Sequence, residues 1–236
     1  MIEMNLNEKD AWSFWLGCDF EDFNDFRLHS NPMLNESNQI ILLVSKNGFN
    51  ISIPSLRFKR IEDKLSHLYD LPIQAITDII NPLKNEIKKV GYILYQACPI
   101  DDFDCSNEPD SLIHLGQDDN FKLQELKAAC SETEWGHSCL NFDSKNTFGV
   151  LNQRTLVSAS HYLIFPGKLA SLGMITHPNN RTQGYAQQAA IGAVKHALDC
   201  GLMIHFQTLI ENTAAIALSK KLGFVQFGCS CRLELN

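Results

Sequence analysis

Residues 169–200 constrain the fold of this chain more than any other stretch. Leu169 to Thr176 alternates as a strand, and Pro178 breaks it. Arg181-Thr182-Gln183-Gly184-Tyr185-Ala186 then turns the chain into a helix with an apolar stripe at Ala190, Val194 and Leu198. Gly184, lacking a Cβ, permits a tight turn. Such a turn aims the backbone N–H groups of residues 183–187, which have no intrahelical partners, at one point. The helix dipole adds partial positive charge there, so a pyrophosphate fits, with Arg181 as a charged donor. The pattern Gln/Arg-x-x-Gly-x-Gly/Ala alone arises by chance in about one chain in four of this length. Its weight comes from the strand before it, the helix after it, and the absence of a competing G-x-x-x-x-G-K-[ST] loop.

The neighbouring segments supply a sheet for that strand. Thr147 to Asn152, Thr155 to Phe165 and Leu169 to Thr176 read as strands joined by Asn152-Gln153-Arg154 and Pro166-Gly167, short links that imply an antiparallel meander. Helix 184–200, strand 202–208, helix 213–222 and strand 224–233 follow, and helix-linked strands are expected to pair in parallel. Asp119 is a candidate cap for a helix carrying Leu123, Leu126 and Cys130. The first half reads as a hairpin around Asn47-Gly48, with strands at 40–45 and 49–53. A helix carrying Phe58, Ile61, Leu65 and Leu68 comes next, then a shorter helix 73–80 ended by Asn81-Pro82, then a strand at 90–97. The polar stretch 101–119 suits a linker, which places a boundary near Glu108 and divides the chain into domains 1–108 and 109–236.

Composition excludes several classes. The net charge of −7 argues against a nucleic-acid surface, and Lys84, Lys88 and Lys89 read as a solvated helix face. The longest apolar run, Ile40 to Val44, has strand length, so no membrane partner is expected. The polar N-terminus is unlike a secretory signal, which points to a cytoplasmic location and free thiols. Cys229 and Cys231 share a strand face as packing residues, and scattered histidines without an H-x-x-x-H pair predict no metal.

A second segment sharpens the first. After strand 202–208 comes Asn212-Thr213-Ala214-Ala215, and its helix closes on Lys220-Lys221-Leu222-Gly223-Phe224. With the loop at Arg181 to Ala186, this resembles the GNAT acetyltransferase superfamily over residues 112–235. Trp15-Leu16-Gly17-Cys18, Ile53-Pro54 and Gly91-Tyr92-Ile93-Leu94-Tyr95 resemble, more weakly, the extra N-terminal domain of one subgroup, a degenerate GNAT-like half.

The resemblance implies an α/β (α+β) fold with a mixed, mostly antiparallel sheet and a V-shaped splay, beside a smaller α/β N-terminal domain. It implies acetyl-CoA as donor and an amine on a small molecule or protein as acceptor, with direct transfer and no metal. The pantetheine arm falls to Met174, Ile175 and Thr176 and the phosphates to Arg181, Gln183, Gly184, Tyr185, Ala186 and Gln187. Asn212 reaches the arm or caps its own helix; the two roles are compatible.

The chain departs from the family at the two proton-transfer positions. Ser219 stands where many members have a tyrosine acid, and Ser171 where many have a glutamate base. A serine hydroxyl is a poor general acid but can hydrogen-bond the sulfur. Candidate bases are His205, His161, His177 and Glu134, with His205 ranked first among the histidines for its place beside the cleft. Glu134-Trp135-Gly136-His137-Ser138-Cys139 would line the acceptor side, or Trp135 only covers the edge of the core. The expected activity is N-acetyl transfer, made feasible by proximity of an activated thioester; the competing expectation is an acyl-CoA-binding regulatory module without turnover.

Overall fold

The computed structural model describes residues 13, 26–44, 49–69, 75–98, 103, 109–142, 145–165 and 168–236. The Asn47-Gly48 and Pro166-Gly167 turns, Trp15 to Cys18 and the boundary at Glu108 lie outside them. Two compact units form, neither contiguous in sequence: the first comprises residues 1–95, 208–211 and 227–236, the second 96–207 and 212–226.

The first unit contains strands β1 (Arg27–Asn31), β2 (Gln39–Val44) and β3 (Phe49–Pro54). Helices α1 (Phe58–Leu65) and α2 (Ile76–Leu83) follow, and most of β4 (Ile87–Ala97) belongs to this unit. β2 and β3 are antiparallel, as the hairpin pattern requires, while β1 joins β3 in parallel. The α1 stripe packs Ile61 and Leu65, with Leu68 beyond it, onto Ile40, Leu42, Ile51 and Ile53. α2 begins and ends later than its pattern suggested and includes Pro82. Only one residue of the helix follows Pro82, so the missing N–H costs a single terminal bond.

The second unit contains β5 (Leu112–His114), α3 (Asn120–Ala129), α4 (Glu132–Ser138), β6 (Thr147–Asn152), β7 (Thr155–Phe165) and β8 (Leu169–Thr176). It continues with α5 (Tyr185–Asp199), most of β9 (Met203–Leu209), α6 (Thr213–Lys221) and the start of β10 (Val225–Leu235). Its strands lie in the order β9-β8-β7-β6-β5, antiparallel except where β8 meets β9. The β6–β7 turn puts Gln153 and Arg154 at positive φ, which holds the expected meander together without glycine.

The sheet of the second unit is covered on both faces. Tyr162, Ala170, Leu172 and Phe206 pack against Ala190, Val194 and Ala197 of α5 and Leu222 after α6. On the other face Ala159 and Ile175 pack against Leu123 and Leu126 of α3 and Trp135 of α4. Seven small or branched residues of α5 are buried, which lets that helix lie close to the strands.

Three expectations are corrected. Lys88 and Lys89 are solvated but lie on strand β4, and Lys84 only follows the end of α2, so the three form no helix face. The rule for helix-linked strands holds for β8-α5-β9 but not for β9-α6-β10, because β10 pairs antiparallel with β2. Cys231, Leu233 and Leu235 alternate into the core of Ile40 and Leu42, and that burial decides the partner. Asp119 makes no cap for α3; its carboxylate accepts the Gly116 N–H and thereby closes the 3-10 turn ahead of that helix. Among the described residues, no helix is long and apolar enough to cross a membrane.

Candidate functional site

β8 and β9 are in register only from Leu169↔Met203 to Leu172↔Phe206. Past that point β8 runs on to Thr176 with a strand on one side only. The β7 ladder tells which backbone groups face the gap. His177 donates its N–H to Val157, and antiparallel residues alternate between facing and leaving the partner strand. Gly173 and Ile175 therefore turn toward β7, where their carbonyls accept Ser160 Oγ at 2.9 Å and Ser158 Oγ at 3.0 Å. Met174 and Thr176 turn their amides the other way, into the splay. Of Met174, Ile175 and Thr176, these two turn their backbone groups away from β7.

The turn follows directly. His177 Nδ1 accepts the Asn179 N–H at 3.2 Å and starts a 3-10 turn, Pro178–Asn180. Thr182 and Gly184 then adopt φ of 63° and 86°, and α5 starts with no side chain capping it. A Cβ at Gly184 would meet nothing within 4 Å, so positive φ, rather than lack of space, is what calls for glycine. Tyr185 packs beside Val150 and Val157 and anchors the helix start to the sheet. Gln183, Ala186 and Gln187 complete the turn at its rim. Gln183 Nε2 donates to the Asn179 carbonyl at 3.4 Å.

Arg181 is already engaged. Its guanidinium meets Glu134 of α4 at 2.7 Å, and its Nε donates to the Thr176 carbonyl at 3.4 Å. Glu134 also accepts the N–H and hydroxyl of Ser131, the capping box of α4. The Ser131 N–H, the Ser131 hydroxyl and Arg181, in that order, hold its carboxyl below the ordinary carboxylate range. A carboxylate so occupied is a weak proton acceptor.

His205 sits on β9 beside Ser171 of β8, fully buried, with Nε2 3.1 Å from Gln207 Nε2. Burial pushes its imidazolium down to about 3. His161, on the same sheet face, lies 3.3 Å from the Ser138 carbonyl and is pushed down to about 4 by burial. Both rings are neutral near pH 7, far from the basicity suited to proton abstraction there.

Both histidines make the fold acid-labile. Unfolded histidine binds its proton near 6.5, so the unfolded state holds more protons below that pH, and stability falls as pH drops toward 4 for His161 and toward 3 for His205. The expected slope is about 1.4 kcal/mol per pH unit for each ring. A melting temperature that stays flat from pH 7 to 5, or that His205→Gln and His161→Gln leave equally steep, would contradict it.

Ser219 is buried on the inner face of α6. It accepts Gln96 Nε2 at 2.6 Å and donates to the Ile216 carbonyl at 2.9 Å, so its proton points at its own helix. Asn212 caps α6, accepting the Ala215 N–H at 3.1 Å. Gln96 and Gly173 were not singled out from sequence. A lone glycine inside a strand signals close backbone approach, and here the Ser138 carbonyl makes it. Among the described residues, no group of three or more His, Cys, Asp or Glu is placed to hold a metal ion.

Residues 112–224 match the model of the acetyltransferase (GNAT) family. None of the curated proteins matches the chain. Among solved structures, an acetyltransferase from the GNAT family from Colwellia psychrerythraea is similar at 19% identity and a TM-score of 0.54, over 78% of this chain and 75% of that one. A conserved protein of unknown function from Staphylococcus epidermidis ATCC 12228 is similar at 11% identity and a TM-score of 0.52, over 89% and 90%. A GNAT-family protein from Novosphingobium aromaticivorans DSM 12444 (20% identity, TM-score 0.48) matches 62% of this chain, which spans 65% of that protein's length. At these identities the likeness concerns the fold. Sheet, splay, turn and family model agree: residues 112–224 form a domain of the acetyltransferase (GNAT) family.

Proposed function

We propose that the chain transfers an acetyl group from acetyl-CoA directly to an amine. The observation that carries this reading is the end of β8–β9 pairing at Leu172↔Phe206, which leaves Met174 and Thr176 amides facing a gap that leads to the Gly184 turn. An extended arm with amides of its own can pair along β8 as an added strand, while its pyrophosphate meets the N–H groups of residues 183–187. Arg181 joins that contact by exchanging Glu134 for phosphate, and Asn212 stands at the start of α6. Ile175 supports β8 through its bond to β7.

Chemistry in this reading rests on alignment. The thioester is already activated, and backbone N–H groups at the splay polarise its carbonyl. Ser219 and His205 act as neutral hydrogen-bonding groups, and Glu134 fixes Arg181 and α4. The amine arrives neutral from solvent and attacks the thioester carbonyl; as the C–N bond forms the C–S bond breaks, CoA leaves as the thiolate, and the proton lost from nitrogen reaches the sulfur through water.

The same three residues favour a second reading, an acyl-CoA-binding module without turnover. Melting the protein with and without acetyl-CoA tests binding, since a ligand of the native state raises the melting temperature, by an amount equivalent to about 2.7 kcal/mol at a hundred times Kd. No shift removes both readings. Release of free thiol with a panel of small amines and peptide N-termini separates them: binding without release on any acceptor leaves the module.

A further inference from the structure

Gln96 carries a buried polar end with no partner. Its side chain is 2% exposed, its Nε2 donates to Ser219, and its Oε1 has no hydrogen bond. Turning the amide over only exchanges the faults: Ser219 would donate to Oε1 and Nε2 would stand bare. A primary amide held this way is a persistent penalty in a folded core unless something else fills its open end.

The position says what that would be. Cys98, two residues further on and just past the end of β4, donates its N–H to the Ile204 carbonyl of β9. Ser219 shares α6 with Ala215, Leu218 and the following Leu222, all packed in one cluster with Phe206. Phe206 is the last β9 residue in register with β8. The Gln96–Ser219 pair therefore lies under α6 at the level where the two strands part.

We propose that Gln96 reads an amide of the donor's pantetheine arm, an inference that rests on the acyl-CoA reading above. A secondary amide offers one N–H and one carbonyl, so it satisfies the open end of Gln96 in either orientation. Ser219 fixes the glutamine rather than serving the leaving group. The residue comes from β4, outside the region matched by the family model.

The test is calorimetric titration of the full chain with CoA, acetyl-CoA and adenosine 3′,5′-bisphosphate, which lacks the arm. Gln96→Leu should weaken CoA and acetyl-CoA about tenfold each, equivalent to about 1.4 kcal/mol, and leave the bisphosphate unchanged. Ser219→Ala, which frees the glutamine without removing it, should give a smaller loss with the same selectivity. Should Gln96→Leu fail to fold, Ser219→Ala and the isosteric Gln96→Glu decide the matter by the same ratio. Equal losses for all three ligands would mark a structural role only, and no loss for any would remove Gln96 from the site; either overturns the proposal. Failure of the wild-type chain to bind any of the three would instead remove the donor reading itself.

Discussion

Gly184→Asp is expected to lower CoA affinity by about a hundredfold or more while leaving the unliganded protein folded. The added carboxylate would stand at the start of α5, beside the N–H groups of residues 183–187 that the proposed phosphate contact uses, and nothing lies within 4 Å of a new Cβ. A carboxylate is favourable at a helix N-terminus, so it fills the cradle as a tethered anion. An incoming phosphate then meets like charge, worth about 3 kcal/mol at roughly 5 Å and an effective dielectric constant near 20. Gly184→Ala separates charge from backbone. It carries only the cost of φ at 86°, about 1–2 kcal/mol, and should lose about tenfold or less. If titration shows the aspartate variant binding CoA as wild type does, the turn is not the phosphate site.

The second large effect is on the fold. Gly173→Ala would put a Cβ 2.1 Å from the Ser138 carbonyl and 2.8 Å from His161 Nε2. The imidazole can swing aside, but the carbonyl ends α4 and cannot. Ser138 Oγ bonds back to the Trp135 carbonyl, and Cys139 follows at φ 55°. Relief therefore means moving α4 and drawing Trp135 from its cluster with Leu123, Leu126 and Ile175. Overpacking against side chains costs about 1–3 kcal/mol, and against backbone the upper end applies. At about 2–4 °C per kcal/mol, the second unit should melt about 6–12 °C lower. Gly91→Ala, where a Cβ meets nothing within 4 Å, is the control and should melt as wild type does. Equal melting temperatures for the two variants would mean that α4 is free to move.

How legible each part was depended on how local its cause is. β6, β7 and β8 begin and end where their alternation does, because each turn lies within a few residues of the strands it joins. α5 and α6 carry their stripes within one segment. β1 and the pairing of β10 with β2 did not show, since a parallel or distant partner leaves no mark in the strand's own spacing. The candidate site divides the same way. Gly184 is visible because a turn needs it. That Arg181 is held by a glutamate 47 residues away, that Ser219 has its proton committed, and that Gln96 lies beneath α6 are facts of packing. Sequence pattern carries no signal for them.

The parting of β8 from β9 has one more consequence. A strand bare on one side within a sheet is a template for any extended chain with free amides, and Met174 and Thr176 would accept a stray peptide on the same terms as a designed guest. The gap makes the empty molecule the sticky one. If the acyl-CoA reading holds, saturation with the donor closes the template, and the protein should then keep longer in solution at high concentration.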